Sequence, residues 1–177
     1  MSSKFPTDIQ PTYIAYVPEN HGVEACGVPQ ALDLEKEFKD RLVVITAAPG
    51  AFTPTCTANH IPGYLSNLHN FKKKGVDRII VLSANDPFVL AAWGKALGLR
   101  DEKNYVLFAM DPLAKISKEL GDSYVKDLSG VGFGLRTARW TAIVKNGEIV
   151  YLESEDDGTG FTEKTAAETI LDRIEKE

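Results

Sequence analysis

Cysteine is scarce in this sequence: Cys26 and Cys56 are the two among 177 residues. Two thiols make no disulfide scaffold, and their separation is not that of a C-x-x-C motif. Neither the cysteine pair nor any pair among His21, His60 and His69 has the short spacing of a zinc finger. Positive charge is also in deficit, since 20 Lys and Arg against 25 Asp and Glu leave a net charge of −5. The one cationic run, Lys72-Lys73-Lys74, precedes Gly75 at the expected end of a helix, where cations oppose the negative end of the dipole. No basic face remains for nucleic acid or an anionic membrane. No stretch approaches the roughly 20 apolar residues of a membrane span. The opening MSSKFPTDIQPTY lacks the apolar run of a secretory signal, so a cytoplasmic, reducing location is expected, with mitochondria or peroxisomes as the other compartments. The closing Glu175-Lys176-Glu177 is not an S-K-L address.

What is present reads as an ordinary globular chain, 44% apolar and 25% charged, long enough to build a core without staples. No repeat or linker divides it, so residues 1–177 are expected to form one domain. Leu42–Ala48, Arg78–Ala84 and Tyr105–Met110 are short β-branched or aromatic runs, the pattern of strands buried on both faces. Ile61, Tyr64, Leu65, Leu68 and Phe71 follow a helical period after a kink at Pro62-Gly63. Asn85-Asp86-Pro87 starts a second helix that stops at Gly98, and Asp111-Pro112 starts a third that closes at Gly121. This alternation predicts an α/β domain with a mostly parallel central sheet flanked by helices. Ala138–Val144 and Glu148–Leu152 then form a hairpin around Asn146-Gly147. Thr165-x-x-Glu168 reads as the capping box of a terminal helix, and Thr12–Val17 as a further strand. The order is that of a thioredoxin-like core with an added strand-helix unit.

Cys56 follows a buried strand and a tight loop, and it opens a helix. Unpaired N–H groups and the positive end of the helix dipole stabilise a thiolate there, and the thiolate is the reactive form. By position alone, a small apolar filler under the helix explains Cys56 equally well. Thr53, three residues earlier, brings a hydroxyl that can donate to the sulfur or to a bound oxygen, and Pro49 and Pro54 stiffen the loop. His60, four residues on, falls on the same helix face as a proton donor, a local positive charge or a packing histidine. GVGFG (Gly130–Gly134) precedes a strand pattern rather than a helix, so it reads as a loop and not as a nucleotide fingerprint. Trp93 and Trp140 belong to amphipathic patterns and are expected in the core or an interface.

The string PGAFTPTC, Pro49 to Cys56, resembles the PxxxTxxC active-site signature of the peroxiredoxins. With His60, Pro62 and Gly63 it is similar to the peroxiredoxin 5 (type II) class. NDPFVLAAWGKALG (Asn85–Gly98) and FGLRTARW (Phe133–Trp140) resemble further segments of that class. In RTARW, Arg139 takes the place of the family's active-site arginine. A guanidinium is always charged and suits a sulfur anion and a peroxide oxygen, and Arg136 is a second candidate.

The resemblance implies a thiol peroxidase without metal or organic cofactor. Cys56 would attack hydrogen peroxide or an alkyl hydroperoxide and become a sulfenic acid, with Arg139, Thr53 and helix N–H groups stabilising the transition state. The C-terminal DGTG loop carries no resolving cysteine, and Val81 stands where plant relatives have one. Cys26, in a C-G-x-P context, resembles the resolving cysteine of fungal thioredoxin peroxidases and yeast alkyl hydroperoxide reductases. A Cys26–Cys56 disulfide, between two chains rather than within one, is therefore expected, with thioredoxin as reductant. The alternatives are a one-cysteine cycle through glutathione or glutaredoxin, a peroxide sensor or relay, and a thioredoxin-like binding module with inert cysteines. The class further implies a symmetric homodimer with Phe52 near its interface.

Overall fold

Along Leu42–Ala47 (β3), Val43, Ile45 and Ala47 enter one apolar layer and Val44 the other. Arg78–Ser83 (β4) repeats this, with Ile80 and Leu82 opposite Ile79 and Val81, and Val106–Met110 (β5) does the same. Strands apolar on both sides need cover on both faces. The computed structural model, which describes residues 3–174, supplies it. Ile61–Ser66 (α2), Leu68–Lys73 (α3), Pro87–Ala96 (α4) and Ala167–Ile174 (α6) cover one face. Leu34–Phe38 (α1) and Lys115–Leu120 (α5) cover the other. Trp93 and Trp140 are fully buried, one in each layer, as their pattern suggested. The chain end at Glu175–Glu177 lies outside the described residues.

The sheet is completed by Thr12–Tyr13 (β1), Gln30–Ala31 (β2), Trp140–Lys145 (β8) and Glu148–Ser154 (β9), in the order β2-β1-β5-β4-β3-β8-β9. Val125–Leu128 (β6) and Gly134–Thr137 (β7) form a separate antiparallel ribbon. Parallel pairing, expected for most of the sheet, occupies its centre, β3–β4 and β4–β5. The flanking pairs β1–β2, β1–β5, β3–β8 and β8–β9 are antiparallel. Helical crossovers join the parallel central strands, whereas Asn146-Gly147, both at positive φ, turns β8 directly into its antiparallel partner β9.

Four local expectations are corrected. The strand at Thr12–Val17 stops at Tyr13, and further on the Tyr16 N–H is taken by the Asn104 side chain at 2.8 Å instead of a neighbouring strand. The helix expected from Ile61 to Phe71, interrupted at Pro62-Gly63, instead runs through both residues as α2 and breaks at Asn67 (φ −105°), whose side-chain amide donates back to Gly63 C=O. Thr165 caps nothing, because its hydroxyl donates to Glu155 at 2.7 Å. The strand β8 begins at Trp140 rather than Ala138, since the Arg139 N–H goes to Gly158 C=O.

Candidate active site

Where β3 ends, the chain turns through buried Pro49 and Gly50. The turn is held from two sides. Asn85 Oδ1 accepts the Ala51 N–H at 2.9 Å, and Arg136 Nη1 donates to Pro49 C=O at 3.3 Å. A Cβ on Gly50 would stand 2.8 Å from Thr53 Cγ2, so a glycine is what lets Thr53 fold over the turn. Phe52 is exposed on left-handed backbone (φ 60°) at the tip. The Thr53 hydroxyl donates to Gly50 C=O at 2.7 Å. Its proton is therefore used, and its oxygen faces solvent as an acceptor, where the sequence reading had it as a donor.

Cys56 to His60 form a π-turn in which the Ile61 N–H reaches back five residues to Cys56 C=O. Trp93 Nε1 donates to Thr57 Oγ1 at 3.1 Å and so ties this turn to α4. Cys56 is 1% exposed, and the Arg139 guanidinium lies against it, with Nη2 donating to Sγ at 3.2 Å. The same guanidinium donates through Nε to Gly160 C=O at 2.8 Å, through Nη2 to Thr159 C=O at 3.1 Å, and through Nη1 to His60 Nδ1 at 2.8 Å. Arg139 is itself 1% exposed. Three of these four acceptors are two carbonyls and an imidazole nitrogen, and the fourth is the Cys56 sulfur.

His60 shares the Cys56 face, as its spacing suggested, but the roles of proton donor and positive charge do not survive. It is fully buried, and burial, with the adjacent Arg139 cation, pushes its imidazole well below the ordinary 6.5. The ring is neutral. Since Arg139 can only donate, Nδ1 is the acceptor and Nε2 carries the hydrogen. Nε2 then donates to Thr46 Oγ1 at 2.8 Å.

The structure therefore gathers Cys56, Arg139 and His60, with Pro49 and Thr53 framing the turn above them. Arg136 stays on β7, stacked over Phe133, and touches the loop backbone rather than the sulfur. Cys26 stands apart and exposed. Its loop is strapped to the end of α4, where buried Lys95 donates to Gly22 C=O at 3.1 Å and Ala25 C=O at 3.0 Å. Gly27 packs against Ile14, just past β1. Within one chain the two thiols are not bonded to each other: Cys26 is exposed and Cys56 is buried.

Sequence reasoning missed Thr46, Tyr64, Thr141, Lys95 and Glu155. One signal was available: Thr46 is the lone hydroxyl inside the apolar run of β3. Tyr64, Thr141 and Lys95 are joined by pairings across 70 or more residues, and Glu155 by loop contacts to Thr162 and Thr165 that no sequence motif marks.

The Redoxin family model matches residues 4–171. The "Putative peroxisomal peroxiredoxin" of Lipomyces kononenkoae is 53% identical over 158 residues, 89% of this chain and 92% of that protein. "Peroxiredoxin AHP1" of Chaetomium thermophilum is 33% identical over 169 residues, 94% of this chain and 90% of its own. Among solved structures, reduced Prx3 from Vibrio vulnificus in complex with H2O2 matches with a TM-score of 0.79 at 32% identity, covering 98% of this chain and 94% of that one.

Proposed function

This chain belongs to the peroxiredoxins, enzymes that reduce peroxides at a thiol, and we propose that Cys56 is the peroxidatic cysteine and Arg139 its activating cation. The observation that carries the reading is the 3.2 Å contact between Arg139 Nη2 and Cys56 Sγ, made where both side chains are buried. The Cys56 thiolate attacks the terminal oxygen of a hydroperoxide. The S–O bond forms as the O–O bond breaks, sulfur loses two electrons, and the departing hydroxide or alkoxide takes up a proton. Thr53 Oγ1 accepts the O–H of the incoming peroxide, because its own hydrogen is held by Gly50 C=O. Arg139 stays fixed by three neutral acceptors while charge spreads from sulfur to oxygen, the preorganised arrangement that lowers such barriers. Pro49 and Asn85 keep the turn from relaxing away.

The sulfenic acid condenses with Cys26 of a second copy, forming a disulfide and releasing water, and a dithiol reductant of the thioredoxin class then restores both thiols. Within one chain both thiols are free, Cys26 exposed at the surface and Cys56 buried, which supports the two-chain route. A homodimer is the assembly this requires. Exposed Phe52, Leu113 and Phe133 offer apolar surface for it, the first two on left-handed backbone. The same two free thiols also fit a second reading, in which glutathione or glutaredoxin resolves Cys56 and Cys26 is a bystander. Residues 1–177 act as one thioredoxin-like domain in either case. The expected compartment is the cytoplasm. The word peroxisomal in the name of the Lipomyces relative makes the peroxisome the next one to examine.

Mixing Cys26→Ser with Cys56→Ser chains tests the route. After one equivalent of peroxide, the mixture should give a covalent dimer on a non-reducing gel that neither variant gives alone. An oxidised wild-type monomer with an internal disulfide would defeat the two-chain route. A glutathione adduct on Cys56, with no dimer, would establish the second reading.

A further inference from the structure

Thr46 on β3 and Thr141 on β8 are cross-strand partners in register, and their hydroxyls meet at 2.8 Å beneath His60. Thr141 Oγ1 lies 3.1 Å from Tyr64 Oη, and Tyr64 donates to Thr165 C=O at 2.7 Å. All of these side chains are buried. The direction of each link is set from both ends. Arg139 can only donate, so His60 accepts at Nδ1 and donates at Nε2 to Thr46. Thr46 must then donate onward to Thr141, and Thr141 to Tyr64. At the other end, Thr165 C=O can only accept, which requires Tyr64 to donate there and to receive from Thr141. The two derivations meet without conflict. A chain that ends on a carbonyl cannot pass a proton through, so it is no proton relay.

It also closes on itself. The Thr165 hydroxyl donates to buried Glu155, which also takes the Thr162 N–H at 2.9 Å and its hydroxyl at 2.8 Å. Glu155 begins the loop whose Thr159 and Gly160 carbonyls hold Arg139. We propose that the hydroxyls of Thr46, Thr141 and Tyr64 are positioning residues for peroxide reduction: they lock His60 as the Nε2–H tautomer, so that Arg139 is held against Cys56. The proposal rests on the reading of Cys56 and Arg139 given above. If the chain reversed, Thr46 would donate to Nε2 and the hydrogen would move to Nδ1. Two donors would then face each other across the 2.8 Å between His60 and Arg139, and the guanidinium would be pushed from its place. The ionisable groups that face this chain are Arg139 on His60, and Tyr151 and Glu168 on Tyr64, with Glu155 one link further through Thr165.

Thr141→Val keeps the shape and removes the link, which frees Thr46 to turn toward His60. Its second-order rate with hydrogen peroxide should fall about tenfold, the cost of one broken buried hydrogen bond. The acid limb of its pH–rate profile should move to higher pH. Thr141→Ser, which restores the hydroxyl, should return both to wild type. A folded Thr141→Val protein with the wild-type rate and profile would overturn the proposal, as would a Thr141→Ser protein equally impaired. Nitrogen-15 NMR of wild type gives an independent reading should Thr141→Val not fold. His60 should appear as neutral Nε2–H on both sides of the ordinary value of 6.5, and an Nδ1–H ring or one titrating near that value refutes the lock. Cys56→Ser, run alongside, separates the two levels: if it reduces peroxide as fast as wild type, the site reading fails, while the NMR still judges the lock.

Discussion

Replacing Arg139 by alanine removes one cation and four donated hydrogen bonds at once, and the geometry says how much that should matter. The bond to Cys56 acts on the reacting atom, while those to Gly160, Thr159 and His60 hold the guanidinium still. Loss of one preorganised donor to a developing oxyanion costs about 2.7–4 kcal/mol, or roughly 10²–10³ in rate. Arg139→Ala should fall in that range. Arg139→Lys keeps the charge, but a single ammonium cannot span four acceptors placed around a planar fork. It should recover little, remaining at least about tenfold below wild type. Rapid mixing with hydrogen peroxide measures this directly, with Trp93 as reporter because its indole bonds to Thr57 beside the reacting cysteine. Two carbonyls and one imidazole nitrogen lose their donor in the alanine variant, at about 1–3 kcal/mol for each that water does not reach. Circular dichroism at the assay temperature must therefore show a folded protein. A folded Arg139→Ala enzyme within about threefold of the wild-type rate, set against that 10²–10³ loss, would mean that the guanidinium is structural and that the peroxide is activated elsewhere.

Lys95 holds the Cys26 loop by two carbonyls, so Lys95→Met should leave the first oxidation of Cys56 at its normal rate while the disulfide forms more slowly. Sulfinic acid on Cys56, read by mass spectrometry after repeated peroxide turnover, should rise several-fold; an unchanged ratio of disulfide to sulfinic acid would show that the strap does not present Cys26. His60 predicts a pH dependence of stability. Its folded-state value lies well below 6.5 through burial and Arg139, so below about pH 6.5 the unfolded chain binds a proton that the folded one refuses. Stability from this group is whole above that pH and falls as the pH drops, at up to about 1.4 kcal/mol per unit. Urea midpoints at pH 7.5 and 5.5 should therefore diverge more for wild type than for His60→Asn, and parallel shifts would contradict a buried neutral ring.

Much of the architecture could be read because the signals were local. β3, β4 and β5 announce themselves by apolar runs, α4 by Asp86 and Pro87 at its start, and the β8–β9 turn by Asn146-Gly147. What was not legible has a common cause. The five-residue α1 is too short to show a period, and β1 and β2 are two residues each, so pairing partners rather than composition define them. Thr165 resembled a cap because spacing cannot reveal that Glu155 competes for its hydroxyl. At the site, PGAFTPTC and Arg139 were visible as a pattern of residue types. The direction of the Thr53 hydrogen bond, the neutrality of His60 and the strap on Cys26 depend on groups contributed from across the chain.

The charge balance around Arg139 shows why a histidine, rather than a carboxylate, stands beside it. A buried arginine is ordinarily satisfied by an aspartate or glutamate, and a carboxylate in place of the His60 ring would accept from Nη1 just as well. It would also cancel the positive charge that stands beside the sulfur. Neutral His60 and two peptide carbonyls meet the geometric needs of the guanidinium without supplying a counter-ion. Glu155 is near enough to be tied into the same network, yet its oxygens are taken by Thr162 and Thr165. The fold thus supports the cation on two carbonyls and a neutral ring, and its remaining donor is directed at the Cys56 sulfur, 3.2 Å from Nη2.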